Sequence, residues 1–158
     1  TCHRRFFEDG RIILDLHFND STAVVKNLSG KIDAWCLDGF APDRNPEIWE
    51  PTLFEAIAQK SHQETTFSTF TAARKVRDGL ISAGFEVRKV PGFAKKPERI
   101  EGKFTGSQTL NPWTPASSIH PKHSIAVVGA AAFVEATEPL LGKERGQMPR
   151  CCERCTAK

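Results

Sequence analysis

The 158-residue sequence lacks any apolar run able to span a bilayer. Its longest stretch free of charge and strong polarity is residues 125–134, against the roughly 20 residues a spanning helix needs. It lacks the basic-then-apolar opening of a secretory signal. Neither membrane nor secretion is therefore argued, and a cytoplasmic location is expected. It has few cysteines, five in all, and no second C-x-x-C pair. Cys2 and Cys36 are isolated, while Cys151, Cys152 and Cys155 crowd the far end. Structural zinc usually takes four ligands in two separated pairs. Here only His120 and His123, in a Pro-rich stretch, could complete a set, so no metal is expected and the thiols read as those of a reduced chain. No compositional bias marks a disordered tail, a collagen-like repeat or a coiled coil: 39% of residues are apolar and 26% charged, the balance of a globular domain. The chain opens in mid-pattern on Thr1 rather than on methionine, and is expected to be a piece of a longer protein.

What is present begins with an uneven charge. The net charge is +3, yet residues 74–103 hold nine Lys/Arg against four Asp/Glu. A local excess of five positive charges on a near-neutral body suits a phosphate-bearing partner such as RNA, or is a solvated face rich in lysine.

Apolar periodicity predicts strands at 11–18, 32–37, 65–71, 85–90 and 99–104. Helices are expected between them, after Asp20 with a stripe of Val24, Val25 and Leu28, from Pro51 with Leu53, Phe54, Ile57 and Ala58 inward, and at 72–83 with Val76, Leu80 and Ile81 inward. Gly84 is the expected stop of the third helix. Strands alternating with helices predict an α/β fold, a mostly parallel sheet with helices on both faces. The last two strands lack an intervening helix and should pair antiparallel. This pattern resembles a Rossmann-like class I methyltransferase sheet, present in part and ending in an antiparallel hairpin.

Thr, Pro, Ser and Asn dominate residues 105–120, a linker composition. Ser124-Ile125-Ala126-Val127-Val128-Gly129 then reads as a further buried strand ending at glycine. In a dinucleotide-binding fold it would feed G-x-G-x-x-G. Here Ala130, Ala131 and Ala132 follow, and their Cβ atoms obstruct a pyrophosphate, so this stretch is not expected to hold FAD. The expected organisation is 1–106, a linker at 107–122, and 123–158 as a truncated or frameshifted second unit.

Asp38 is the leading catalytic candidate. It follows the 32–37 strand, and open α/β sheets bind ligands at the carboxyl ends of their strands; it could equally cap a tight loop.

These residues also carry a resemblance. Leu37-Asp38-Gly39-Phe40-Ala41-Pro42, then Asn45-Pro46 and Trp49, resembles the signature of the bifunctional tRNA 5-methylaminomethyl-2-thiouridine biosynthesis proteins, the MnmC family. Cys2-His3-Arg4, Asp15-Leu16-His17-Phe18-Asn19-Asp20, Gly84-Phe85 and Gly92-Phe93 with Lys95-Lys96 fit that family in the same order. The resemblance covers about residues 2–129.

It implies an S-adenosyl-L-methionine-dependent methyltransferase acting on the aminomethyl group of a tRNA wobble uridine. The intact parent would also carry an FAD-dependent oxidoreductase, making 123–158 the start of that second domain. The implied partner is tRNA, with neither DNA nor membrane. Asp38 would be the active-site carboxylate, Asn19 and Asp20 would face the cofactor, Phe40 and Pro42 would wall the substrate, and the basic run with Lys95 and Lys96 would track phosphates. Two other readings are a non-catalytic tRNA-binding module and an inert gene remnant. In the intact fold two strands lie between 11–18 and 32–37. The 11–18 strand is therefore expected either to lack a neighbour or to pair directly beside 32–37, next to a four-stranded block made of the other strands.

Overall fold

The computed structural model describes residues 2–92, 97–106, 123–129 and 132–136. The strands are β1 (Cys2–Phe7), β2 (Ile12–His17), β3 (Ile32–Leu37), β4 (Ser61–Thr69), β5 (Phe85–Pro91), β6 (Glu98–Phe104), β7 (His123–Val128) and β8 (Ala132–Ala136), and the helices are α1 (Ser21–Asn27), α2 (Pro51–Lys60) and α3 (Arg74–Ser82). All eight strands share one sheet in the order β1-β2-β8-β7-β3-β4-β6-β5. Among the described residues no helix is long and apolar enough to cross a membrane.

The expected four-stranded block forms. β3 and β4 run parallel, and β6 pairs antiparallel with both β4 and β5. Moving from β2 to β3, β4 and β5, each helical crossover advances in the same direction across the sheet. Right-handed crossovers then bring α1, α2 and α3 to one face, where α1 meets α2 and α2 meets α3. Trp35, Leu37, Phe67, Ile100 and Phe104 are buried there with Leu53, Phe54, Ile57, Val76 and Leu80. Their alternates Cys36, Thr66 and Lys103 are exposed. The expectation of helices on both faces is thus corrected: among the described residues the second face has no helix, because every crossover runs one way. Ile81 is also exposed rather than inward. Only Val76 and Leu80, one helical turn apart, point fully into the core. Gly79 lets α3 close on α2, since a Cβ there would sit 2.5 Å from the Phe54 ring.

Side-chain hydroxyls account for the shifted element ends. β4 starts at Ser61, four residues earlier than expected and with no loop after α2. The Ser61 hydroxyl donates to the Ile57 carbonyl and accepts from the Trp35 indole N–H. A bulge around Glu64, whose φ is +76°, then absorbs the polar His62-Gln63-Glu64. Thr65 stitches it by accepting from the His62 N–H and donating to the Ile32 carbonyl. The Thr71 hydroxyl accepts from the Ala73 N–H, a local bond that delays α3 to Arg74.

The largest correction concerns 11–18. This strand neither lacks neighbours nor lies beside 32–37. β2 pairs antiparallel with β1 on one side and β8 on the other, and β7 runs parallel to β3. Two strands do separate β2 from β3, but they come from 123–136. Unpaired backbone groups along β2 and β3 are costly, and the β7–β8 hairpin satisfies both edges. Asp33 fixes its entry: one carboxylate oxygen accepts from the Ser124 N–H at 2.5 Å and the other meets His62 Nε2 at 2.9 Å.

β1 had no sequence signal, because Cys2-His3-Arg4-Arg5 does not alternate apolar and polar. It is held by β2 and by a fork from Arg4 onto buried Asp15, at 2.7 and 2.5 Å. The Arg4 hydrogen bonds hold the Asp15 carboxyl below the usual carboxylate range, against burial that pushes it up. A depressed folded pKa means this contribution is present above the unfolded value of about 3.9 and is lost as pH falls below it. Asp15→Asn should cost about 1–2 kcal/mol at pH 7, a value kept low by the half-exposed Arg4. It should also flatten the acid limb of stability between about pH 5 and 2. Urea unfolding across that range checks both.

Candidate functional site

The β-strand ends converge on one cavity of about 220 Å³. It opens at the carboxyl ends of β2, β7 and β3, the position at which open α/β sheets hold ligands. One wall is His17, Asn19, Asp20 and Ser21 at the β2–α1 junction. Val24, Val25, Leu28 and Trp35 form an apolar side, and Asn45, Glu47 and Ile48 form the loop side. The end of β7, from Ala126 to Gly129, closes it.

Asn19 and Asp20 shape this wall through local bonds. The Asn19 side-chain oxygen accepts from the Asp20 N–H, and Asp20 Oδ1 accepts from the Ala23 N–H to cap α1. Asp20 is therefore both a helix cap and a cavity residue, with Oδ2 outside the cap bond. Trp35 is locked by its indole bond to Ser61 and gives the apolar side a fixed aromatic edge.

The Asp38-Gly39-Phe40 turn lies beside the cavity rather than in its lining. Its backbone is clamped from both sides. The Asp38 N–H donates to the Val128 carbonyl at 2.8 Å, and the Trp49 indole N–H donates to the Phe40 carbonyl at 2.8 Å. A Cβ on Gly39 would lie 1.9 Å from Ile48. A Cβ on Gly129 would lie 2.3 Å from the Gly39 backbone, and Gly129 has φ +124°. The turn is thus fixed in place while the Phe40 ring remains 71% exposed. Cys36, two residues before Asp38, reaches solvent. Partial burial of its thiol, and then the Asp38 charge, nevertheless push its pKa up, so it is a neutral thiol and a poor nucleophile.

The structure therefore brings Asn19 and Asp20 together with the cavity and sets Asp38 and Phe40 on its adjoining rim, with Pro42 further along the same loop. Lys95 and Lys96 lie outside the described residues. The rest of the basic run is largely matched by carboxylates. Arg88 and Arg99 meet Glu101, Lys89 meets Glu98, Lys103 approaches Glu64, and Arg74 and Arg77 meet Asp78. Sequence reasoning missed Trp35, Asn45 and Glu47 as cavity residues. Asn45 and Glu47 flank Pro46 within the motif already singled out, and that spacing was the available signal.

A nucleoside fits the donor set: an apolar side with an aromatic edge for a base, and a carboxylate and an amide for polar edges. The volume of about 220 Å³ is below the roughly 300–1,000 Å³ of complete small-molecule sites and is of nucleoside size. Among the described residues no cluster of His, Cys, Asp or Glu could hold a metal ion.

Comparison with known proteins matches residues 1–105 to a family of S-adenosyl-L-methionine-dependent methyltransferases. The tRNA 5-methylaminomethyl-2-thiouridine biosynthesis bifunctional protein MnmC of Chromohalobacter salexigens is 41% identical over 131 residues, covering 80% of this chain and 19% of that protein. The Marinomonas sp. protein of the same name is 51% identical over 105 residues, covering 66% and 16%. The one from Vibrio campbellii is 41% identical over 153 residues, covering 92% and 23%. The likeness therefore passes residue 129, where the motif-based resemblance stopped. The chain spans about a fifth of the length of these relatives. The crystal structure of MNMC2 from Aquifex aeolicus aligns with TM-score 0.50 and 23% identity over 56% of this chain and 30% of that one, which supports the α/β methyltransferase fold.

Gly129→Ala tests the clamp. The added methyl meets backbone and the φ is unfavourable for any L side chain, so a loss of about 1–3 kcal/mol is expected. Hydrogen exchange should show lost protection at Asp38 and along β7, with β5 and β6 unaffected.

Proposed function

The chain belongs to the family of S-adenosyl-L-methionine-dependent methyltransferases, and on that premise we propose that it forms part of an enzyme that methylates the aminomethyl group of a tRNA wobble uridine. The observation carrying this is the clamped Asp38-Gly39-Phe40 turn on the rim of a nucleoside-sized cavity, in a sequence similar to MnmC proteins from several organisms. When bound, S-adenosylmethionine supplies a methyl group on a positively charged sulfur.

The chain's own residues divide the remaining work. Asn19 and Asp20 would hold polar edges of the nucleoside, while Trp35, Val24 and Leu28 would exclude water from its base. Asp38 would accept a hydrogen bond from the substrate amine, aim its lone pair, and take a proton at a carboxylate oxygen as the new C–N bond forms. A turn held by two backbone hydrogen bonds suits that task, because a misdirected carboxylate loses the benefit of positioning. Phe40 and Pro42 would border the uridine, and Lys95 and Lys96 would contact phosphate. FAD belongs, on this reading, to the longer bifunctional protein, and the 123–158 segment to its junction with the second domain.

The 158-residue chain should bind S-adenosylmethionine more weakly than micromolar, because only a nucleoside-sized part of the site is present. Calorimetry giving a micromolar Kd would overturn that expectation.

The catalytic reading is tested in a chimera in which residues 1–105 replace the matching segment of the Marinomonas sp. relative. The chimera should transfer methyl to tRNA bearing the unmethylated aminomethyl group. Asp38→Ala should lower turnover by about 10²–10⁴-fold with tRNA affinity retained. A folded but inactive chimera would reject the proposed activity, and an active chimera indifferent to Asp38→Ala would reduce Asp38 to a turn residue.

A further inference from the structure

We infer that the β1 edge of the sheet is a stacking platform for unpaired RNA bases, built from Phe7, Phe18 and His3 around Arg5. This rests on tRNA being the partner and assigns it a surface distinct from the basic run at 74–103.

β1 is the outer strand of the sheet, and all six of its residues are exposed. Its register with β2 sets His3, Arg5 and Phe7 opposite Leu16, Leu14 and Ile12. Those three side chains therefore project from one face, about 7 Å apart along the strand. It is the face that carries no helix among the described residues. Phe18 joins them, its ring meeting His3 edge-to-face with centroids 5.8 Å apart. Phe7 is 49% and Phe18 59% exposed. Aromatic rings about half exposed beside a cation are the elements that take splayed-out bases and their phosphates.

Charge separates this surface from its rivals. Arg5 donates to the Arg4 backbone carbonyl and, among the described residues, meets no carboxylate, so its positive charge is available to a phosphate. Arg88, Lys89 and Arg99 of β5 and β6, by contrast, face Glu98 and Glu101, and Lys103 approaches Glu64. A second copy of the chain is disfavoured. Antiparallel pairing of two β1 edges about their centre would oppose Arg4 of one to Arg5 of the other, and like charges directly opposite are destabilising.

The test uses the 158-residue chain and a fluorescently labelled anticodon stem-loop RNA, read by anisotropy over a range of salt. Phe7→Ala and Phe18→Ala should each weaken binding about 5- to 100-fold. Arg5→Ala should reduce the slope of log affinity against log salt by about 0.7–0.9. Phe7→Trp should restore binding, whereas Phe7→Leu, apolar but unable to stack a base, should not. Phe6→Ala, on the opposite face of the same strand, should change affinity less than about twofold. These residues are exposed, and a matching urea midpoint for each variant separates lost contact from lost fold. If the unaltered chain binds RNA and the β1 variants bind equally well, the platform is wrong while the tRNA reading stands. If the folded chain binds no RNA, both fail. Self-association abolished by Phe7→Ala and insensitive to RNA would overturn the inference in favour of a dimer edge.

Discussion

The free edge of β3 is the constraint on which the rest of the molecule depends. β4 satisfies one side of this strand, and the other side must find a parallel partner or leave backbone groups unpaired. β7 fills it, starting where Asp33 accepts from the Ser124 N–H and finishing where Gly129 rests on Gly39. With β7 in place, β8 can bridge to β2, β2 can deliver α1 to the core, and the cavity gains a wall. Remove it and the β1–β2–α1 segment keeps only helix contacts with the block. The same strand pairing that completes the sheet thus immobilises the turn carrying Asp38.

Legibility in the sequence tracked how local the cause was. α1, α2 and the β5–β6 hairpin follow from nearby residues: the Asp20 cap, Pro51 at the first helical position, and a sequence between the two strands that carries no helical pattern. The buried character of 124–128 was equally plain. Its address was not, because strand pairing across about ninety residues leaves no periodic trace. β1 was invisible for a related reason. An outer strand solvated on both faces has no alternation to detect, and its partner is set by Asp15, eleven residues from Arg4. At the candidate site, Asp38 was singled out by its strand-end position and Asn19 and Asp20 by the family resemblance. Trp35 read only as part of the 32–37 strand, and Glu47 only as a position beside Asn45-Pro46, because their contribution to one cavity requires β3, α1 and the 45–48 loop to meet.

The second face of the sheet is divided by chemistry. Toward β5 and β6 it carries alternating charges, Glu86, Arg88, Arg99, Glu101 and Lys103, several in ion pairs. Toward β2 and β7 it carries Ile12, Leu14, Leu16, Ile125 and Val127, half-buried along the strands. The ion-paired end suits contact with water as it stands. No described helix covers the apolar end, and β1, with its arginine and rings, forms its border.

The position of β7 and β8 also bears on how the sheet holds together. Along the described residues, β7 and β8 follow in sequence the strands that they join at the centre of the sheet. The block from β3 to β6 pairs only strands within residues 32–104, so its pairings need nothing from β7 or β8. The β1–β2 hairpin, of a kind marginal on its own in water, is tied to that block through residues 123–136 and α1. Without β7 and β8 the facing sides of β2 and β3 would be open edges of the kind that attract chaperones and neighbouring chains.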